Sequence, residues 1–211
     1  MPSRFFITGT DTGVGKTVTA ALLCAALDAR YWKPIQTGTR EGTDRAAVMR
    51  LARLPRDRVL PESYRFAPPV SPHLAAARAG IRIELRKIVL PPLRRGRNLI
   101  VEGAGGALVP INETEFMTDL MRHLKLPVLL VCRTALGTIN HTLLSLAALR
   151  QARLDVRGAV MVGPADNDNR KAIEHYGEIP VVGHIPPLTT LNRTVLLRVF
   201  EREFDKAVFH G

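Results

Sequence analysis

Cysteine is scarce in this chain: Cys24 and Cys132 are its only two, far apart and with no CxxC spacing. That excludes a disulfide framework and a cysteine-built metal site, and both read as small buried hydrophobes. Long apolar runs are absent too, since none approaches the ~20 residues of a membrane span. The apolar stretch within Met1–Gly9 is too short for a cleavable leader, so a cytoplasmic protein is expected. Acidic residues are outnumbered, 19 Asp and Glu against 30 Lys and Arg, for a net charge of +11. The basic residues are spread, as in Arg50, Arg53, Arg56 and Arg58 and again in Arg94, Arg95 and Arg97. No zinc-finger or RNA-binding aromatic signature accompanies them. They read as a solvated face that helps attract anionic substrates, not as a nucleic-acid surface. Repeats, low-complexity tracts and long linkers are lacking, so residues 1–211 are expected to form one domain.

What is present is an alternation of short apolar runs with longer helical segments. Phe5–Thr8, Tyr31–Ile35, Leu99–Glu102, Val128–Cys132, Gly158–Val162 and Val181–His184 are continuous and rich in Val, Ile and Leu, as strands covered on both faces are. Helices are expected at Lys16–Asp28, Asp44–Leu54, Leu74–Ala79, Glu84–Arg94, Phe116–Leu124, Ile139–Ala152, Arg170–Tyr176 and Leu191–Phe204. The Pro-rich Pro61–Pro72 reads as a surface loop. Strand followed by helix, repeated, argues for an α/β fold: a mostly parallel sheet with helices on both faces and right-handed crossovers. Such sheets place ligands at the carboxyl ends of their strands. The polar motifs Gly9–Thr17, Lys33–Gly38, Glu102–Gly106 and Arg133–Asn140 all fall at such ends.

Gly9-Thr-Asp-Thr-Gly13-Val-Gly15-Lys16-Thr17 follows a strand and opens an Ala/Leu helix. Glycines let successive N–H groups turn toward one anion, and the helix N-terminus adds its positive dipole end. Lys16 should reach the β- and γ-phosphates of a nucleoside triphosphate, and the Thr17 hydroxyl should coordinate Mg²⁺. Thr10 stands where the strict phosphate-loop pattern has its first glycine, so this is a variant loop.

The other strand ends admit two readings each. Lys33, beside a triphosphate, can neutralise charge on a transferred phosphoryl group, or it is a surface lysine. Asp44 sits at a helix start, and spacing alone favours an N-cap over a Mg²⁺ carboxylate. Glu102, ending a buried strand before glycines, can hold Mg²⁺ or be a solvated turn residue. Gly137, Thr138 and Asn140 can cap the next helix and offer N–H groups to an anion. His141 reads as a packed or surface histidine. Spacing supplies no reason for Arg133.

Together these residues resemble the dethiobiotin synthetase family. The matching pieces are Thr8–Thr17, Trp32–Gly38, Ser71–His73, Val101–Gly106, Leu126–Val131, Leu136–His141 and Gly183–Pro186, in the family's order. The resemblance implies a three-layer P-loop NTPase fold and ATP-dependent carboxylation of 7,8-diaminononanoate with CO₂ or bicarbonate, followed by ring closure. It implies phosphate contacts from Thr12 and Lys16, and charge stabilisation by Lys33. Carbamate binding falls to Thr37, and Mg²⁺ to Thr17, Asp44 and Glu102. Nucleotide contacts fall on Gly13, Val14, Gly15, Val18, Gly163 and Pro186 as well. The family's homodimer would bring Leu136, Gly137 and Asn140 to a substrate that also touches Gly105.

Two departures stand out. Gly13 replaces an acidic residue frequent in the family. Val162 and Gly163 replace an Asn-Asp pair whose Asn reads adenine, so weaker base selectivity is expected. Asn167 and Asn169 are nearby but displaced. Two alternatives share the loop: a partitioning-type switch ATPase, whose loop lysine is absent here, and cobalamin-pathway synthetases, which normally carry a further amidotransferase domain.

Overall fold

The computed structural model describes residues 3–92 and 97–209. Its strands are β1 (Arg4–Gly9), β2 (Arg30–Trp32), β3 (Ile35–Gln36), β4 (Tyr64–Arg65), β5 (Leu99–Gly106), β6 (Val128–Arg133), β7 (Val156–Val162) and β8 (Val181–Ile185). Its helices are α1 (Lys16–Ala26), α2 (Asp44–Ala52), α3 (Pro72–Arg78), α4 (Met117–Leu124), α5 (Thr138–Gln151), α6 (Asn167–Gly177) and α7 (Arg193–Glu203). Six strands form one sheet in the order β2-β5-β1-β6-β7-β8, and every pairing in it is parallel.

Strand pleating divides the apolar residues between two cores. Phe6, Leu99, Val101, Leu130 and Met161 face α3, α4, α5 and α6. Phe5, Ile7, Ile100, Leu129 and Val160 face α1, α2 and α7. The result is the expected three-layer α/β architecture, with β1 central and its carboxyl end between those of β5 and β6.

Three expectations need correction. The run Tyr31–Ile35 is not one strand. Pro34 has no N–H to offer, so β2 stops at Trp32 and the chain leaves the main sheet. Ile35 and Gln36 then pair with Tyr64 and Arg65 in a separate two-stranded sheet. Pro61–Pro72 is therefore more than a surface loop, because it supplies β4 and buries Phe66. Finally, Glu84–Arg94 is not an α-helix over its described residues, which hold only a 3₁₀ turn at Leu85–Lys87. Ile83, Leu85 and Ile88 are all buried, a spacing that makes no α-helical stripe, and Pro91 and Pro92 oppose helix continuation. Residues 93–96, which include Arg94 and Arg95, lie outside the described part.

Candidate active site

A cleft of about 560 Å³ opens at the carboxyl ends of β1, β3 and β5. It gathers Thr12, Gly13, Gly15, Lys16, Thr17, Val18, Lys33, Thr37, Asp44, Glu102 and Gly105 from segments far apart in sequence. Val70, Ser71 and Pro72 line it from the segment after β4. Val14 is buried beneath the loop. Gly163 and Pro186 sit just past β7 and β8, outside this cleft. Leu136, Gly137 and Asn140 also lie outside it, at the start of α5, where Leu136 is fully exposed.

The phosphate loop is held from several sides. The Thr10 N–H donates to the Val131 carbonyl at 2.9 Å, and the Lys16 ammonium donates to the Asp11 carbonyl at 2.7 Å. Gly15 has φ 103°, and a Cβ there would come within 2.9 Å of Val162. The turn into α1 therefore requires glycine on both conformational and steric grounds. The Arg133 guanidinium donates to the Thr12 carbonyl at 3.1 Å, which gives that residue the physical role its sequence position lacked.

Behind the loop lies a compact ionic cluster. The Lys33 ammonium is 2.6 Å from Asp44 Oδ2 and 3.0 Å from Glu102 Oε1. The Thr17 hydroxyl is 2.6 Å from Asp44 Oδ1 and 3.0 Å from the same Glu102 oxygen. It has one proton, so it donates to one of them at a time. The Thr43 hydroxyl caps α2 by accepting from the Ala46 N–H at 3.1 Å, which corrects the capping role that spacing gave Asp44. Asp44 instead occupies the first helical position, its N–H donating to Gln36 Oε1 at 3.1 Å and its carboxylate turned to Lys33 and Thr17.

The charges of the cluster support one another. Burial pushes the Lys33 ammonium down, but the Glu102 and Asp44 carboxylates outweigh it and hold its pKa above the ordinary lysine value. Burial likewise opposes ionisation of Asp44, yet Lys33, Thr17 and Gln36 together hold its pKa below the usual carboxylate range. Among the described residues Lys16 has no carboxylate so close, and burial lowers it to about 8 despite the attraction of Glu102. One hydroxyl and two carboxylates converging at one point are hard oxygen donors of the type that a small divalent cation accepts.

Sequence reasoning missed two members of this cluster. Tyr31 donates its phenolic O–H to Glu102 Oε2 at 2.8 Å, and Gln36 links Asp44 to the Thr37 carbonyl. No signal in the sequence marked Tyr31, because β2 ends at Trp32 and strand parity does not carry on to Lys33.

Residues 3–195 match the AAA domain family model. The chain is 47% identical over 202 residues to the ATP-dependent dethiobiotin synthetase BioD of Novosphingobium aromaticivorans, covering 96% of this chain and 97% of that protein. It is 46% identical over 209 residues to the BioD of Agrobacterium fabrum, covering 99% and 98% of the two chains. A ParA family ATPase from Chlorobium tepidum shares the fold, with a TM-score of 0.54 over 94% of this chain and 90% of that one, at 13% identity. That likeness concerns fold alone, so it lends nothing to the partitioning-ATPase alternative. Near-complete coverage at almost half identity, joined to a cleft lined by Lys16, Thr17, Lys33, Asp44 and Glu102, places the chain by descent: it belongs to the ATP-dependent dethiobiotin synthetases, a family of ligases of biotin biosynthesis.

Proposed function

We propose that this chain converts 7,8-diaminononanoate, CO₂ and ATP to dethiobiotin, ADP and phosphate, through a carbamate and a carbamic–phosphoric anhydride. The observation that carries the reading is Lys33, held between Asp44 and Glu102 in the cleft that also holds Lys16 and Thr17. A substrate amine first adds to CO₂ and loses a proton, giving the carbamate. A carbamate oxygen then attacks the γ-phosphorus while the bond to the β-phosphate oxygen breaks. The second amine attacks the carbonyl carbon and loses its proton, and phosphate leaves with the carbamate oxygen. Phosphorylation thus turns a poor leaving group into a good one.

Lys33 stays protonated beside its two carboxylates, so it meets the carbamate and the transferring phosphoryl group as a fixed positive charge. The loop N–H groups from Gly13 to Val18, with Thr12 and Lys16, hold the phosphates in line. Thr37, tied through Gln36 to the Asp44 backbone, offers its hydroxyl to the carbamate, and Gly105 leaves room for the substrate. Thr17, Asp44 and Glu102 fit Mg²⁺, which when bound supplies charge neutralisation to the β- and γ-phosphates. The end of β7 at Gly163, with Pro186, borders the base.

Exposed Leu108, Leu136 and Leu144 support a homodimer. Leu108 and Leu144 border a shallow pocket against Thr10–Thr12, and Leu136 borders another against Asp11 and Val14. Pairing there covers apolar surface beside the loop and brings Leu136, Gly137 and Asn140 to the substrate of the partner subunit. The protein works as one domain in the cytoplasm, with its basic surface solvated. Among the described residues no helix is long and apolar enough to cross a membrane.

Oxygen tracing tests the mechanism. With ¹⁸O-labelled bicarbonate, the anhydride route delivers one label into each released phosphate. Unlabelled phosphate formed alongside labelled dethiobiotin would reject phosphorylation of the carbamate.

A further inference from the structure

Glu102 is 1% exposed, and its two carboxylate oxygens face different partners. Oε1 takes Lys33 at 3.0 Å and Thr17 at 3.0 Å, toward the cleft. Among the described residues, Oε2 takes only the Tyr31 hydroxyl, at 2.8 Å, toward the core under α1. The register explains why a tyrosine serves here. Tyr31 pairs with Ile100, two residues before Glu102 and on the same face of β5. That offset is roughly 6–7 Å along a strand, a distance a phenol can bridge and a shorter side chain cannot. Tyr31 is itself fully buried, so its hydroxyl has no water to turn to.

We propose that Tyr31 is a positioning residue for the metal-binding carboxylate. By occupying Oε2 it fixes the rotation of Glu102 and commits that residue to one-oxygen coordination through Oε1. Outer partners of this kind set ligand orientation, and losing one typically costs 10- to 100-fold in metal affinity. The inference rests on the reading of Glu102 as a Mg²⁺ ligand, and it gives Tyr31 a role that neither phosphate binding nor the carboxylation chemistry requires.

The test uses the full chain with a non-hydrolysable ATP analogue, measuring analogue binding as Mg²⁺ is titrated. Four proteins are compared: wild type, Tyr31→Phe, Glu102→Gln and the double variant. Thermal midpoints are recorded without Mg²⁺. Tyr31→Phe is expected to raise the half-saturating Mg²⁺ concentration about tenfold, while analogue affinity at saturating Mg²⁺ stays unchanged. Glu102→Gln is expected to raise it at least as far, and the double variant to match Glu102→Gln alone, because Tyr31 acts through that carboxylate. A merely structural tyrosine would lower the thermal midpoint and leave the Mg²⁺ titration superimposed on wild type. That result, with Glu102→Gln shifted, overturns the role of Tyr31 alone. A Glu102→Gln titration identical to wild type would instead remove the metal-ligand reading and this proposal with it.

Discussion

Arg133, at the end of β6, donates from Nη2 to the carbonyl of Thr12 at 3.1 Å, and so ties the sheet to the crest of the phosphate loop. The guanidinium also lies 3.5 Å from where a Gly13 side chain would begin, filling the space above that glycine. Hydrogen bonds to charged groups contribute about 1.5–3 kcal/mol when well buried and less when exposed, as here. Arg133→Ala should therefore raise the KM for ATP roughly fivefold, with the thermal midpoint changed by no more than ~2 °C. Steady-state kinetics and a melting curve check both parts; an unchanged KM would remove the loop-tethering role.

In the proposed mechanism, Lys33 is the residue on which the chemistry is most concentrated. Lys33→Ala should lower kcat by roughly 10²–10³-fold, the usual loss when a donor to developing charge is removed. ATP binding should survive, because Lys16 and the loop N–H groups remain. Full turnover by this variant would end the assignment of Lys33 to charge stabilisation.

Gly163 has φ +138°, and a Cβ there would overlap Thr134 Oγ1. Gly163→Ala should cost about 2 kcal/mol or more, or ~4–8 °C in thermal midpoint for a chain of this size. Adding Thr134→Ala should recover the steric part and leave the conformational part. A single variant as stable as wild type would contradict the close packing of β6 and β7 ends.

Burial leaves the Lys16 ammonium with a pKa of about 8. Triphosphate favours its charged form, so nucleotide binding at pH 8 should take up about half a proton at this group. Affinity should weaken as pH rises beyond 8. For folding, the unfolded lysine holds its proton up to its ordinary value of 10.5, so this residue's contribution to stability rises with pH between about 8 and 10.5. Calorimetry in buffers of different ionisation enthalpy measures the uptake. No uptake at pH 8 would mean that Lys16 is already fully charged.

In the proposed function the base lies by Gly163, where weak base reading is expected. The Asn169 amide donates to the Thr134 carbonyl at 3.0 Å and to Asp166 Oδ2 at 2.7 Å, so it is engaged in holding the start of α6. Val162 packs on Gly15. CTP, GTP and ATP offered together at equal concentration should accordingly turn over within about tenfold of one another. A strong preference for ATP would contradict weak base reading.

The layers of the fold were legible because buried parallel strands read as unbroken apolar runs, and phosphate loops require glycine beside lysine. Asp44 was ambiguous because a helix-start carboxylate caps and binds cations with the same chemistry; only the Thr43 cap frees it. The split after Trp32 was visible in Pro34, yet its partner strand at Tyr64–Arg65 was hidden, because two-residue strands carry no periodicity. Tyr31 read as core, and it is core; that its hydroxyl reaches Glu102 depends on the β2–β5 register, which a single sequence does not express. Arg133 needed the loop above it to acquire a partner.

The measurement closest to the central claim is ADP release by the purified protein with ATP, Mg²⁺ and bicarbonate, with and without 7,8-diaminononanoate, and with mass detection of the product. Diamine-dependent ADP release matched one to one by dethiobiotin is the expected result. Nucleotide binding with no diamine dependence and no dethiobiotin would contradict it.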